Sequence, residues 1–273
     1  MSKQSALSSI AWQPVLDAAF QAGEAILKVY DTDFEVTHKA DDSPLTRADQ
    51  CAHNILVKKL QEHYPTLPVL SEEGQTIAYE DRMQWERFWC IDPLDGTKEF
   101  VKRNGEFTVN IALIEGTRPI LGVIYAPVLD IMYIGDRQKG AYKIENFKSL
   151  WQNASIAVET VGQRLPYHTN EIYTVVASRS HMSKETEAFI VAARQKHKAV
   201  KRLSAGSSLK LCLVAEGKAD AYPRYAPTME WDTAAGQAIV EAAGGHVTIY
   251  ESTAPLQYNK EDLHNPWFLV EKN

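Results

Sequence analysis

The stretch Trp89-Cys90-Ile91-Asp92-Pro93-Leu94-Asp95-Gly96-Thr97-Lys98-Glu99-Phe100 decides how the rest of the chain is read. Its apolar front has the character of a buried strand. Pro93 has no N–H to give a ladder, which predicts that the strand stops at Asp92. Asp92 and Asp95 then flank a tight turn, where Gly96 lets the backbone come close to a ligand. Thr97 and Lys98 read as the first turn of a helix, whose free N–H groups favour an anion. Strand end, paired acids, glycine and helix start together suit hard cations on one side and a phosphate on the other.

Upstream of this stretch, residues 67–70 read as a short strand leading into Ser71-Glu72-Glu73-Gly74. Residues 46–63 carry an apolar stripe at Ala48, Cys51, Ala52, Ile55, Leu56 and Leu60, which predicts a helix with Asp49 near its start, one turn before His53. Residues 11–30 repeat that spacing, while polar residues 31–42 read as mostly loop, with a turn signal at Asp41-Asp42-Ser43-Pro44. Downstream, residues 107–114, 119–125, 131–134 and 141–144 are rich in β-branched and aromatic side chains. With the hairpin-like break at residues 115–118, they predict an antiparallel meander.

Residues 145–171 are more polar and irregular, and the domain boundary is expected there, dividing residues 1–150 from 151–273. The second part alternates. Strands are expected at 173–177, 219–222 and 246–250, and helices at 183–196, at 209–215 after Gly206-Ser207-Ser208, and at 233–243. Asp232 would open the last helix and Gly244-Gly245 would close it.

The 273 residues allow one large domain or two moderate ones, and 45% hydrophobic with 23% charged residues is the balance of a packed globular protein. A net charge of −6 argues against a general nucleic-acid surface. It does not exclude a small anionic substrate, because bound cations invert a local potential. Cys51, Cys90 and Cys212 are far apart and lack C-x-x-C spacing, so reduced, mostly buried thiols and a cytoplasmic setting are expected. The first twelve residues lack the basic and apolar regions of a signal peptide, and the apolar run 120–134 is interrupted by Pro127 and Asp130, so it reads as two strands rather than a membrane span.

Four acids stand at expected element ends: Glu72, Asp92, Asp95 and Asp232. Each has a bland explanation alone. Asp232 can be only a helix cap, Asp95 only a turn residue, Glu72 part of a solvated loop, and Asp49 a first-turn acid favoured by the helix dipole. Taken together they form a different pattern, because acids from separate strand ends can meet at one sheet edge. Magnesium takes oxygen ligands, often carboxylates with water and a substrate phosphate. No Cys or His cluster competes for a softer metal.

Ser71-Glu72-Glu73-Gly74, Asp92-Pro93-Leu94-Asp95-Gly96-Thr97 and Trp231-Asp232-Thr233-Ala234-Ala235-Gly236 resemble the three signatures of the inositol monophosphatase superfamily of magnesium-dependent, lithium-sensitive phosphatases. Within it, residues 98–110, Ser178-Arg179-Ser180-His181, Gly206-Ser207-Ser208-Leu209-Lys210 and Leu213-Val214-Ala215-Glu216-Gly217 resemble the bacterial 3'(2'),5'-bisphosphate nucleotidases. The resemblance implies a mixed α/β fold, a layered αβαβα sandwich with two subdomains. It implies two to three Mg2+ per site: Glu72, Asp92 and the Leu94 carbonyl on one ion, Asp92, Asp95 and Asp232 on a second, and Glu72 with water on a third. Asp49 and Thr97 would form a hydrogen-bonded pair that takes a proton from the attacking water, and backbone N–H groups near Gly96 and Thr97 would bind phosphate oxygens.

The same resemblance implies hydrolysis of the 3'-phosphate of adenosine 3',5'-bisphosphate, with 3'-phosphoadenylyl sulfate as a second substrate and a role in sulfur metabolism. Ser207, Lys210 and Arg224 would bind the 5'-phosphate and His181 would lie near sugar and base. The bland alternatives are surface charges at Lys210 and Arg224 and a loop cap at His181. An inositol or sugar-phosphate phosphatase on the same scaffold is the competing enzyme, and a nucleotide or metal sensor the competing non-enzyme. Oligomeric state, monomer or homodimer, stays open, as does contact with the cytoplasmic face of the inner membrane.

Overall fold

The computed structural model describes residues 10–32, 36–38, 44–151, 157–177 and 183–273. In chain order its elements are α1 (Trp12–Tyr30), β1 (Val36–His38), β2 (Pro44–Thr46), α2 (Arg47–His63), β3 (Val69–Ser71), α3 (Tyr79–Arg82), β4 (Arg87–Asp95), α4 (Thr97–Val101), β5 (Thr108–Glu115), β6 (Arg118–Ala126), β7 (Ile131–Asp136) and β8 (Gly140–Glu145). There follow α5 (Phe147–Trp151), α6 (Val158–Val161), β9 (Gln163–Arg164), β10 (Tyr173–Ala177), α7 (Lys184–Lys196), β11 (Val200–Ser204), α8 (Leu209–Ala215), β12 (Ala221–Arg224), α9 (Glu230–Ala242), β13 (His246–Ile249) and β14 (Phe268–Glu271).

A seven-stranded sheet runs β3-β4-β5-β6-β7-β8-β9 in spatial order. From β4 to β9 every pairing is antiparallel, the meander that the turn spacing predicts, and β3 joins β4 in parallel. Both faces are buried. Trp89 and Ile91 point into a core shared with α1 and α2, while their neighbours Phe88 and Cys90 point into a second core shared with α8, α9 and the other sheet. Strands covered on both faces read as near-continuous apolar runs, which is why 88–91 shows no alternation.

The second sheet has the order β11-β10-β12-β14-β13. Its parallel crossovers run in opposite directions, β10 to β11 through α7 and β11 to β12 through α8. Right-handed connections then put the two helices on opposite faces. The layers are therefore α1/α2, first sheet, α8/α9, second sheet, α7, which is the expected αβαβα sandwich. The approach of α9 to the first sheet is close: a Cβ built at Gly122 would strike the Ala235 carbonyl, and one at Gly135 would lie 2.9 Å from the Ala238 carbonyl.

The strand prediction around Pro93 is corrected. β4 continues to Asp95, because Pro93 falls where β3 has already ended and where the register with β5 shifts between Asp92 and Asp95. A bulge leaves residues without a ladder partner, so the missing N–H costs nothing there. The loop expected over 31–42 contains β1, which pairs with β2; residues 41–43 of the turn signal lie outside the described residues. Among its described residues the polar segment 145–171 contains two short helices, and its β9 extends the first sheet. Cys90 and Cys212 are buried, Cys51 is partly so, and all three are free thiols. No helix among the described residues is long and apolar enough to cross a membrane.

Candidate active site

The acids meet because of strand order. Parallel pairing of β3 with β4 carries the Glu72 amide to the Ile91 carbonyl (3.3 Å), so Glu72 emerges beside Asp92. The β4 bulge turns Asp92 and Asp95 towards the same edge, opposite Asn110 and Thr108 of β5. Asp92 Oδ1 accepts the Leu94 N–H at 3.1 Å, an Asx turn that shapes the loop. From the other half of the chain, α9 presents Asp232 in its first turn. Carboxylate oxygens of Glu72, Asp92 and Asp232 all lie within 4.8 Å of one another.

Asp232 does not open the helix as the sequence suggests. α9 begins two residues earlier, and Asp232 is its third residue, accepting the Met229 N–H at 2.9 Å. The reach-back satisfies one orphan donor and fixes the rotamer of Asp232. The helix start is itself pinned. Glu230, fully buried, accepts the Asn259 and Lys260 amides at 2.7 and 3.0 Å and pairs with Lys260 Nζ at 2.5 Å. Asn265 Nδ2 donates to the Met229 carbonyl at 2.7 Å and to Thr233 Oγ1 at 2.9 Å. The sequence alone does not single out Glu230 or Asn265.

The clustered carboxylates repel one another. Burial pushes the Asp92 carboxyl well above its ordinary range, and Glu72, Asp95, Asp232 and Asp49 push it further. Burial and Asp95 raise Asp232 to about 8, with Glu72 adding and the Met229 N–H and Arg224 opposing. Groups driven up by burial and by each other are a place where a divalent cation is welcome, and an all-oxygen donor set suits a hard one. Asp49 is buried in the first turn of α2 and close enough for its charge to act on Asp92. Thr97 Oγ1 donates to the Leu94 carbonyl at 3.4 Å.

Asp95 is arranged differently from the other three. Its Oδ2 accepts the Ser207 hydroxyl and the Ser208 amide, both at 2.6 Å, which ties β4 to the turn before α8. Gly96 takes a left-handed conformation (φ +92°), and a Cβ there would sit 3.3 Å from Ser207 Cβ. The close approach seen at Gly96 is to the Ser207 turn, a protein contact, where the sequence reading anticipated a ligand.

One cleft brings two of the acids to cations: Asp95, Gly96, Asp232, Ser207, Lys210 and Arg224 all line it. Lys210 is not a surface lysine. It is buried, its Nζ donates to the Ser207 carbonyl at 2.6 Å and lies 5.7 Å from the Tyr222 ring centre. Burial lowers it to about 8, against the pull of Asp95 and with Arg224 adding. Arg224 ends β12 and donates through Nη2 to the Pro227 carbonyl at 3.0 Å, while its buried Nε has no protein acceptor. An unanswered guanidinium donor beside a buried lysine is a site for an anion. His181 lies outside the described residues.

Residues 11–269 match the family model described as "Inositol monophosphatase family". A protein of Salmonella typhimurium named "3'(2'),5'-bisphosphate nucleotidase CysQ" is 45% identical over 262 residues, covering 94% of this chain and 98% of that one. Among solved structures, CysQ from Bacteroides thetaiotaomicron superposes with a TM-score of 0.86 at 50% identity, covering 95% of this chain and 96% of the other. An inositol monophosphatase from Anabaena superposes with a TM-score of 0.67 at 25% identity, covering 95% and 89% of the two chains.

Proposed function

The chain belongs to the inositol monophosphatase family, and on that footing we propose that it is a magnesium-dependent nucleotidase that removes the 3'-phosphate of adenosine 3',5'-bisphosphate to give AMP and phosphate. The observation that carries this reading is one cleft that holds Lys210 and Arg224 together with Asp95 and with Asp232, the member of the carboxylate cluster that reaches it. A monophosphate needs only the cluster. Buried Lys210 and half-buried Arg224, whose Nε has no protein acceptor, give a second phosphate its counter-charge. Similarity to proteins named 3'(2'),5'-bisphosphate nucleotidase points the same way. 3'-Phosphoadenylyl sulfate keeps both phosphates and is the second expected substrate.

Glu72, Asp92, Asp95, Asp232 and the Leu94 carbonyl would hold the cations, two firmly and a third through Glu72 and water. When bound, such ions offset the charge of the ester and lower the pKa of water. The protein's own groups do the rest. Backbone N–H groups at Gly96 and Thr97 receive phosphate oxygens at the start of α4. The Thr97 hydroxyl, which here donates to the Leu94 carbonyl, would turn to Asp49 to take the proton of the attacking water and pass on its own, the buried Asp49 carboxylate giving the relay an end. Ser207, Lys210 and Arg224 grip the 5'-phosphate, and His181 serves the nucleoside. In this reading residues 1–150 supply most of the cation ligands, and residues 151–273 bring Asp232 and the nucleotide contacts.

Phosphate release measured across adenosine 3',5'-bisphosphate, 3'-phosphoadenylyl sulfate, inositol phosphate and fructose bisphosphate, with and without Mg2+, tests the proposal. The bisphosphate nucleotides should lead the panel, only with metal and with loss in millimolar lithium. Preference for inositol phosphate would replace this reading with the inositol phosphatase one, and no release from any ester would favour a sensor.

A further inference from the structure

Behind the cleft lies a knot of hydroxyls in which Ser207 meets buried groups that the proposed reaction leaves without a role. Thr108 and Asn110 stand on the face of β5 that carries Ala112 and Ile114 into the second core. They are the polar end of that stripe, where the Gly206–Ser208 turn docks. Thr108, Asn110 and Ser208 are each at most 2% exposed. Thr108 Oγ1 lies 2.5 Å from Ser207 Oγ, 2.8 Å from Ser208 Oγ and 3.0 Å from Asn110 Oδ1. Ser208 Oγ donates to Asn110 Oδ1 at 2.9 Å.

Proton accounting gives the knot a direction. Each hydroxyl has one proton to donate. Ser207 spends its proton on Asp95 Oδ2 and Ser208 spends its own on Asn110. With those protons committed, the Thr108 proton has three acceptors in reach, Asn110 Oδ1 and the two serine oxygens; Ser207 Oγ at 2.5 Å is the nearest, so Thr108 can support Ser207 and through it Asp95. The turn needs such a clamp. Ser207 sits at φ +53°, a left-handed conformation that a side-chain-bearing residue holds only when its surroundings impose it. The Ser207 carbonyl is also the acceptor that fixes Lys210 Nζ at 2.6 Å. The conformation of this one turn therefore sets both the serine hydroxyl and the lysine that face the second phosphate. Glu106 Oε2 holds the same turn from the other side, accepting the Gly206 amide at 2.7 Å.

Resting on the nucleotidase reading, we propose that Thr108 is a positioning residue for substrate choice. Without touching substrate, it clamps the Ser207 turn in the conformation that binds the second phosphate, and so sets preference for bisphosphates over monophosphates. Thr108 stands opposite Asp95 in the β4–β5 ladder, but its hydroxyl bonds the serines and Asn110, and Asp95 keeps the Ser208 amide whatever occupies position 108. The metal cluster should therefore survive the loss of the Thr108 hydroxyl.

The test is Thr108→Val, which keeps shape and removes the donor, with Thr108→Ser as the conservative variant. Both are assayed as the magnesium-loaded full chain on adenosine 3',5'-bisphosphate and adenosine 3'-monophosphate. Thr108→Val should raise KM for the bisphosphate about tenfold, the order expected when buried hydroxyls lose one partner. Turnover of the monophosphate should stay within about twofold, and Thr108→Ser should restore the preference. Equal losses on both substrates, or no loss on either, overturn the proposal. A parallel calorimetric titration with AMP and with inorganic phosphate decides the matter without turnover. Thr108→Val should weaken AMP about tenfold and leave inorganic phosphate unchanged, and an unchanged AMP affinity refutes the clamp. Failure of the unsubstituted protein to hydrolyse the bisphosphate would sink the nucleotidase reading, while the AMP titration still judges Thr108. Should Thr108→Val not fold, Ser208→Ala opens the same knot from the other side and must show the same AMP-selective loss.

Discussion

Replacing Asp232 by Asn should stabilise the metal-free protein while abolishing its response to magnesium. In the metal-free fold the Asp232 carboxyl titrates at about 8, against 3.8 for an ordinary aspartate. A carboxyl whose pKa is raised on folding contributes stability below the unfolded value and loses it as pH rises towards the folded one. From 3.8 to pH 7 is about three units, each worth about 1.4 kcal/mol, so the penalty at pH 7 is about 4 kcal/mol as an upper bound. Asp232 is partly exposed, so solvent screens the charges of Asp95 and Glu72 that raise it, which brings the expected gain to about 2 kcal/mol. Asn keeps an oxygen for the Met229 N–H, so the start of α9 is not sacrificed. For a chain of this size the gain is a rise in Tm of about 5 °C. Thermal melts in chelator from pH 4 to 9 should show the Asp232→Asn advantage at pH 7 to 8, shrinking as pH falls towards 4. Adding Mg2+ at about a hundred times its Kd should then lift the unsubstituted protein by about 2.7 kcal/mol and the variant by far less. An Asp232→Asn protein that melts at or below the unsubstituted one in chelator at pH 8, or that gains equally from Mg2+, would refute the electrostatic account.

The relay and the second phosphate make further predictions. Asp49→Asn should lower kcat by about 10² to 10⁴, the usual worth of a positioned proton acceptor, with KM within a few-fold in steady-state phosphate release. Lys210 titrates at about 8, so its charge is present below that pH and lost above it. KM for the bisphosphate should therefore climb between pH 7 and 9.5, and Lys210→Met should raise KM at pH 7 and flatten the profile. Gly135→Ala forces a methyl into the backbone of α9. Urea unfolding should report a loss of about 1–3 kcal/mol, and because α9 carries Asp232 the Mg2+ concentration for half activity should rise.

Much of this arrangement is legible in the sequence because chemistry and punctuation coincide. The apolar run 88–91, the glycine at 96 and the acids at 72, 92, 95 and 232 mark element ends, and parallel pairing of β3 with β4 is enough to bring Glu72 to Asp92. What pattern alone misses is tertiary. Pro93 reads as a strand stop, yet a bulge with no ladder partner at that position accommodates it. β11 is an edge strand with mostly exposed side chains, Val200-Lys201-Arg202-Leu203-Ser204, so no apolar alternation announces it. The four residues of β14 are too few to establish a period, although Phe268 and Val270 are buried. The sequence leaves a surface charge as the alternative to a phosphate contact at Lys210, because burial of a lysine is set by the elements around it. Glu230 and Thr108 carry no local sign of their roles, since their partners lie about 30 and 100 residues away.

Diffraction from crystals soaked in Mn2+, with the anomalous signal mapped, tests the central claim most directly. The account predicts peaks among the carboxylates of Glu72, Asp92, Asp95 and Asp232, lost in Asp92→Ala together with metal-dependent phosphate release. Peaks lying elsewhere, or release that persists undiminished in Asp92→Ala, would contradict it.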